Sequence, residues 1–370
     1  MKIVILLCCI FSLATAQSDP DRILFGPVGN EDAILGPQGK NIVFSNEGEI
    51  IAVIYGYPTS NQDNPLEVRI AYSLNNGSTW THYGPFSAEL ALIYPGTDGS
   101  SDFHTNPGEL YFVWQESPAG QTTGPIKVMI EENVPSAPSF SSPTELPSSG
   151  SYACCLPCIG VDPDDPYTVL VTAQSREYNT LCAWISTDGG YSWTDPIDIV
   201  PVDSIYGIAG RFRRSPGGYV FMTYHDSMTV DDASIEYPYY IESTDGGYSW
   251  GQPQPLPVPY VHSDSSQFCW HELDCEIIGG DPWTVHTDLG VDSMWLLRGT
   301  GMPGSWSWTV YNITEIGACS TWTAGYFEYA YPVQYPSIIG DSSYNIVVVA
   351  YKGYYYKHDA YGISSHDGPQ

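Results

Sequence analysis

Ser186-Thr-Asp-Gly-Gly-Tyr-Ser-Trp193 recurs, residue for residue, as Ser243-Thr-Asp-Gly-Gly-Tyr-Ser-Trp250, and more loosely as Ser73-Leu-Asn-Asn-Gly-Ser-Thr-Trp80. Each copy follows a strand-like run (Leu181 to Ile185, Tyr237 to Ile241, Val68 to Tyr72) and precedes an extended stretch containing proline, which places it at a hairpin tip. The residue types suit that place. Asp, Asn and Ser side chains bond backbone groups across a turn, Gly accepts positive φ, and Trp anchors the loop in a core. Asn75 stands where Asp188 and Asp245 stand, a substitution that turn chemistry tolerates. The motif is therefore read as structural, through Asn75, Trp80, Asp188, Trp193, Asp245 and Trp250.

Weaker copies extend the series: 131–140 after the strand Ile126 to Ile130, and 298–308 after Met294 to Leu297. The closing aromatics Trp80, Phe140, Trp193, Trp250 and Trp308 lie 60, 53, 57 and 58 residues apart. A near-constant period of this size is that of one four-stranded propeller blade. Residues 363–368 look like the opening of a sixth copy.

The motif resembles the Asp-box, or bacterial neuraminidase repeat, of sialidase-like β-propellers. The resemblance implies an all-β propeller over residues 17–370, and the spacing of the repeats gives it six blades, expected at 40–90, 95–148, 150–202, 205–260, 266–316 and 326–370. Arg22-Ile-Leu-Phe-Gly-Pro27 resembles the segment after the first motif, Thr81-His-Tyr-Gly-Pro85, so an N-terminal strand at 20–28 is expected to close the last blade. Seven blades would need about 51 residues each, shorter than any spacing found.

Composition agrees with an all-β reading. Thirty-six Gly and 30 Pro in 370 residues disfavour long helices. Twelve Lys+Arg against 42 Asp+Glu give a net charge of −30, which repels nucleic-acid phosphates and excludes that partner class. Residues 1–16, with one Lys, an apolar run from Ile3 to Leu13 and Ala14-Thr15-Ala16, read as a secretory signal peptide, too short for a membrane span. An extracellular or periplasmic location is expected. It permits disulfides among Cys154, Cys155, Cys158, Cys182, Cys269, Cys275 and Cys319, an odd count whose pairing stays open. Cys154-Cys155-x-x-Cys158 lacks a second CxxC, so zinc ranks below disulfide formation there.

In such propellers the loops entering the first strand of each blade form the functional face. Those segments are Gln38 to Asn41, Asp98 to His104, Tyr152 to Cys158, Ile208 to Arg211, Phe268 to Glu272 and Tyr331 to Tyr335. The sialidase resemblance implies three arginines on a substrate carboxylate, a Tyr–Glu nucleophile pair and an acid/base Asp. Only Arg211, with Arg213 behind it, falls where an inner strand begins, and the triad is not recognisable. No sialidase catalytic role is therefore carried over.

A glycosidase of other specificity needs two suitably spaced carboxylates. Asp98, Asp102, Glu272 and Asp274 lie near entry segments, with His104 and His271 as partners, and loop capping is the competing account for each. Phe268-Cys-Trp270-His271-Glu272 combines an aromatic platform with sugar-bonding groups, and Cys269 can pin it to Cys275. Trp270 equally suits a blade interface. Arg211, Trp270, His104 and Tyr335 are the ligand-binding candidates, and Asp102, Glu272 and His271 the catalytic ones.

Asp162-Pro-Asp164-Asp165 offers oxygen ligands for calcium without an EF-hand's Gly and Glu, and an acidic turn is the preferred reading, so no cofactor is expected. Asn76-Gly-Ser78 and Asn312-Ile-Thr314 match the glycosylation pattern without an assignment. Twenty-nine Tyr give a surface of amphipathic rings suited to recognition, although β-propensity alone also accounts for them. The reading is a secreted, non-catalytic module binding an extracellular glycan or protein. The alternative is an exo-acting glycoside hydrolase of sialidase-like type.

Overall fold

The computed structural model describes residues 2–3, 42–44, 50–58, 66–75, 77–90, 95–99, 110–118, 121, 123–132, 138–201, 211–230, 233–258, 272–288, 293–313, 328–341 and 346–357. All regular structure among them is β. After β1 (Lys2–Ile3), the first sheet is β2 (Ile42–Phe44), β3 (Ile51–Pro58), β4 (Leu66–Ser73) and β5 (Thr81–Leu90). The second is β6 (Pro95–Gly99), β7 (Leu110–Gln115), β8 (Ile126–Glu131) and β9 (Thr144–Glu145). The third is β10 (Cys154–Val161), β11 (Val169–Ser175), β12 (Thr180–Ser186) and β13 (Ile197–Pro201).

The fourth sheet is β14 (Arg211–Ser215), β15 (Tyr219–Val230), β16 (Ala233–Ser243) and β17 (Gln254–Pro255). The fifth is β18 (Glu272–Ile278), β19 (Asp281–Asp288), β20 (Ser293–Met302) and β21 (Ser305–Asn312). In each of these five, spatial order follows chain order, the pattern of an antiparallel meander. The last sheet joins β22 (Glu328–Asp341) to β23 (Ile346–Lys357), with β1 parallel to β23 through Lys2 opposite Ile346. The strand expected at 20–28 lies outside the described residues. Among the described residues no helix is long and apolar enough to cross a membrane.

The chain forms two compact units, one of Asp19–Ser227 and Tyr240–Gln254, the other of Met1–Ser18, Met228–Tyr239 and Pro255–Gln370. In the larger unit the sheets stack on both faces, and β7 shows why. All six of its residues are buried. Strand alternation sends Leu110, Phe112 and Trp114 into a core with Ile54, Ile70 and Met129, and sends Tyr111 and Val113 into another with Ile159, Val171 and Trp184. A strand covered on both sides reads as a continuous apolar run, as Leu-Tyr-Phe-Val-Trp does here.

First strands of successive sheets lie side by side. A Cβ on Gly96 of β6 would come within 3.9 Å of Ile159 on β10, and one on Gly160 within 2.5 Å of the Phe212 ring on β14. In the smaller unit Trp283, Val285, Met294 and Leu296 pack with Ile338 and Val347.

The three repeat turns carry one hydrogen-bond pattern. Ser186 Oγ donates to Asp188 Oδ1 (2.9 Å) and accepts from the Gly190 N–H (2.7 Å), Ser192 N–H and Oγ–H donate to the Asp188 carboxylate, and Trp193 Nε1 donates to Gly190 O (2.9 Å). Ser243 to Trp250 repeats this bond for bond. In the first copy Asn75 Oδ1 accepts the Thr79 N–H (2.8 Å), but its amide Nδ2 now donates to Thr79 Oγ1 (2.9 Å). The hydroxyl reverses its role, and the turn keeps every link. Trp80 packs beside Ile51, Val53, Tyr55 and Ala71, and Trp193 joins the core around Trp184.

The weaker repeats differ. At 131–140, Glu131 bridges Phe140, and the Ser139 N–H donates to its carboxylate. At 298–308, β20 continues past Leu297 to Met302 and turns tightly at Pro303-Gly304, with Met302 opposite Ser305. A two-residue hairpin loop with Gly304 at φ 80° therefore replaces the expected stapled turn, because every residue from Trp295 to Met302 finds a ladder partner in β21. Residues 363–368 lie outside the described set.

Candidate functional site

Within the third sheet, the stapled turn after Ser186 sits at the end where Val161 faces Val169 and Val169 faces Ser186. The entry of β10, where Cys154 faces Ser175, sits at the other end. That entry carries the strained backbone. Ala153 and Leu156 hold positive φ of 47° and 59° without being glycine, and a bulge separates Cys155 from Cys158.

The strain is held by specific partners. The Leu156 N–H donates to the fully buried Gln115 Oε1 (3.0 Å), whose Nε2 donates to Ser117 Oγ. The Gly124 N–H donates to Cys154 O (3.0 Å), and Tyr152 O accepts the Ser175 hydroxyl (2.7 Å). Cys155 Sγ lies 3.7 Å from Gln174 Oε1. Burial pushes the Cys155 thiol up to about 11, partly offset by the Arg176 guanidinium beside it. At the edge of this buried layer the half-buried Tyr152 ring meets Tyr178 at 4.5 Å between centroids, with Tyr178 58% exposed and Arg176 exposed on the same turn.

The sequence candidates fall differently. Arg211 is buried at the start of β14, opposite Thr223. Glu272 opens β18 opposite Thr287, and Tyr335 lies in β22. Asp102, His104, Trp270 and His271 lie outside the described residues. Asp98 and Asp274 are clasps between neighbouring first strands: Asp98 Oδ2 accepts the Val161 N–H (2.8 Å), and the buried Asp274 Oδ2 accepts the Ile338 N–H (3.1 Å).

Around Asp162, a calcium site gives way to a turn satisfied by protein donors. Asp162 pairs with the buried Arg214 guanidinium (2.5 Å), Asp164 accepts the Gly217 N–H, and Asp165 accepts from Tyr167 and Thr168. A guanidinium in that position repels a cation. Among the described residues no three His, Cys, Asp or Glu side chains gather as metal ligands. Cys154, Cys155 and Cys182 are buried free thiols, Cys158 and Cys275 are buried, and no disulfide joins two described cysteines. The suggested Cys269–Cys275 link lies partly outside the described residues.

Sequence reasoning placed Tyr152 to Cys158 at an entry but missed Arg176, Tyr178, Gln115 and Gln174. The signal available was the polar ending of two otherwise apolar strands, Trp114-Gln115 and Ala173-Gln174-Ser175.

These features define an all-β protein of repeated antiparallel sheets with an aromatic and polar surface at one sheet end. No family model and no curated protein matches the sequence. Among solved structures the chain is similar to an α-L-arabinanase of Penicillium chrysogenum complexed with arabinobiose, at 12% identity and TM-score 0.49, covering 75% of this chain and 82% of that one. It is similar also to a mutant of the NanB sialidase of Streptococcus pneumoniae (12%, 0.48, 87% and 65%) and to an ulvan lyase bound to its saccharide (11%, 0.47, 87% and 86%).

Proposed function

We propose that this chain is a secreted, non-catalytic recognition module, a six-bladed sialidase-like propeller with Asp-box staples, that binds an extracellular carbohydrate at the entry end of its sheets. The observation that carries the reading is the Tyr152–Tyr178 pair beside Arg176, mounted on a backbone whose strained residues are fixed by buried Gln115 and Ser175. The exposed Tyr178 ring, backed by the half-buried Tyr152, gives a sugar an apolar face, the guanidinium supplies donors in a fixed fork, and a rigid mount lowers the ordering cost of binding. Asp98 and Asp274 are engaged in backbone clasps, which weakens the case for a carboxylate pair of hydrolytic use.

The test is a glycan array with the purified protein, alongside fluorogenic glycosides that include sialosides. Binding that drops about tenfold in Tyr178→Ala and in Arg176→Ala supports the proposal. Turnover abolished by Glu272→Gln overturns the non-catalytic reading in favour of a glycoside hydrolase.

A further inference from the structure

The opposite sheet end, in the larger unit, carries a second surface that the carbohydrate reading does not use. Tyr191 and Tyr248 occupy the same position of two identical stapled turns and are 67% and 50% exposed, and Tyr167 is exposed beside them. The turns form one continuous frame. The Gly189 N–H donates to Tyr167 O (2.9 Å), Gly217 N–H to Asp164 Oδ2 (2.7 Å), and Gly246 N–H to Gly218 O (2.7 Å). Exposed carboxylates of Asp164, Asp188 and Asp245 punctuate the rings. Arg214, near the end of β14 beside these turns, is buried on Asp162 and presents no charge outward.

From this arrangement we infer that the stapled-turn face docks a lysine- or arginine-rich segment of a partner protein, its cations placed over the tyrosine rings and among the carboxylates. The occupant follows from charge. The chain carries −30, so a second copy would bring acid against acid, and an anionic glycan would be repelled equally. A cation over an exposed ring gains from the ring's negative face, and more where carboxylates flank it. Because the staples fix the loops that carry Tyr191 and Tyr248, little backbone ordering is lost on binding.

The experiment uses the whole protein titrated with a synthetic arginine-rich peptide and with a neutral polysaccharide, at low and physiological salt. Tyr191→Ala/Tyr248→Ala leaves the charge and all staple bonds intact. It should weaken peptide binding about tenfold, and Tyr191→Phe/Tyr248→Phe should restore it. Unchanged peptide affinity in the alanine variant, leaving only bulk charge attraction, overturns the inference, as does a ring-dependent affinity for the neutral polysaccharide in place of the peptide. Tyr178→Ala, at the other end, should not change peptide binding, so failure here and failure of the carbohydrate reading are read separately.

Discussion

Asp98 on β6 accepts the backbone N–H of Val161 on β10 at 2.8 Å, and Asp274 on β18 repeats the device toward Ile338 on β22 at 3.1 Å. A carboxylate thus links the first strands of two successive sheets where no ladder bond joins them. Asp274→Ala leaves a buried N–H without its acceptor and should cost about 1–3 kcal/mol, read as a lower melting temperature. Asp274→Asn keeps an acceptor oxygen and should cost less. Equal losses in both variants would show that charge, not acceptance, matters.

Asn75 and Asp188 hold equivalent turns with opposite hydroxyl polarity. Asp188→Asn should therefore be tolerated, whereas Asp188→Ala removes the acceptor of Ser186 and Ser192 and should destabilise by about 1 kcal/mol. Denaturant midpoints of the two variants against the parent check this order.

Hydrogen bonds from Ser192 hold the Asp188 carboxyl below its ordinary value. At Asp245 burial acts upward, but the bonds from Ser249 and Ser243 win and the net shift is downward. A carboxyl lowered in the folded state stabilises above its unfolded pKa of about 3.9 and loses that contribution as pH falls through the folded value. The pH dependence belongs to the acid limb, below about pH 4; near neutrality the contribution is fully present and does not vary with pH. Melting temperature against pH should fall less steeply on that limb in Asp188→Asn/Asp245→Asn than in the parent.

Gly190 and Gly217 share a φ of 85° but not their surroundings. A Cβ at Gly190 would meet Ile130 at 3.2 Å and Tyr111 at 3.3 Å, while at Gly217 nothing lies within 4 Å. Gly217→Ala should cost only the backbone strain, about 1–2 kcal/mol, and Gly190→Ala that amount plus repacking of the core between the second and third sheets. Comparable unfolding midpoints would contradict the close packing of the turn on the neighbouring sheet.

Gly160→Ala forces its methyl into the Phe212 ring, both on first strands. The variant should lose about 1–3 kcal/mol, and Phe212→Leu should recover part of it in a double-mutant cycle, since the two residues share one space.

What the sequence determined alone is what acts over a few residues. The all-β class follows from Gly, Pro and strand patterning. The turn chemistry of Ser186 to Trp193 is legible because its hydrogen bonds span two to four residues. The same locality explains the miss at 298–308, where the resemblance of Trp308 to a closing aromatic yielded to its pairing, as part of β21, with Gly299 of β20.

The tertiary structure decided the destinations of the long-range polar groups. Asp98 and Val161 are 63 residues apart, and Gln115 and Leu156 are 41 apart. Whether an acid near a strand start becomes a clasp, a cap or a ligand depends on which N–H another sheet presents to it, and a buried donor left without an acceptor costs enough to settle the choice. The rings of Tyr152 and Tyr178 likewise become one surface only when the bulge at Cys155 folds the entry of β10 back onto the end of β11.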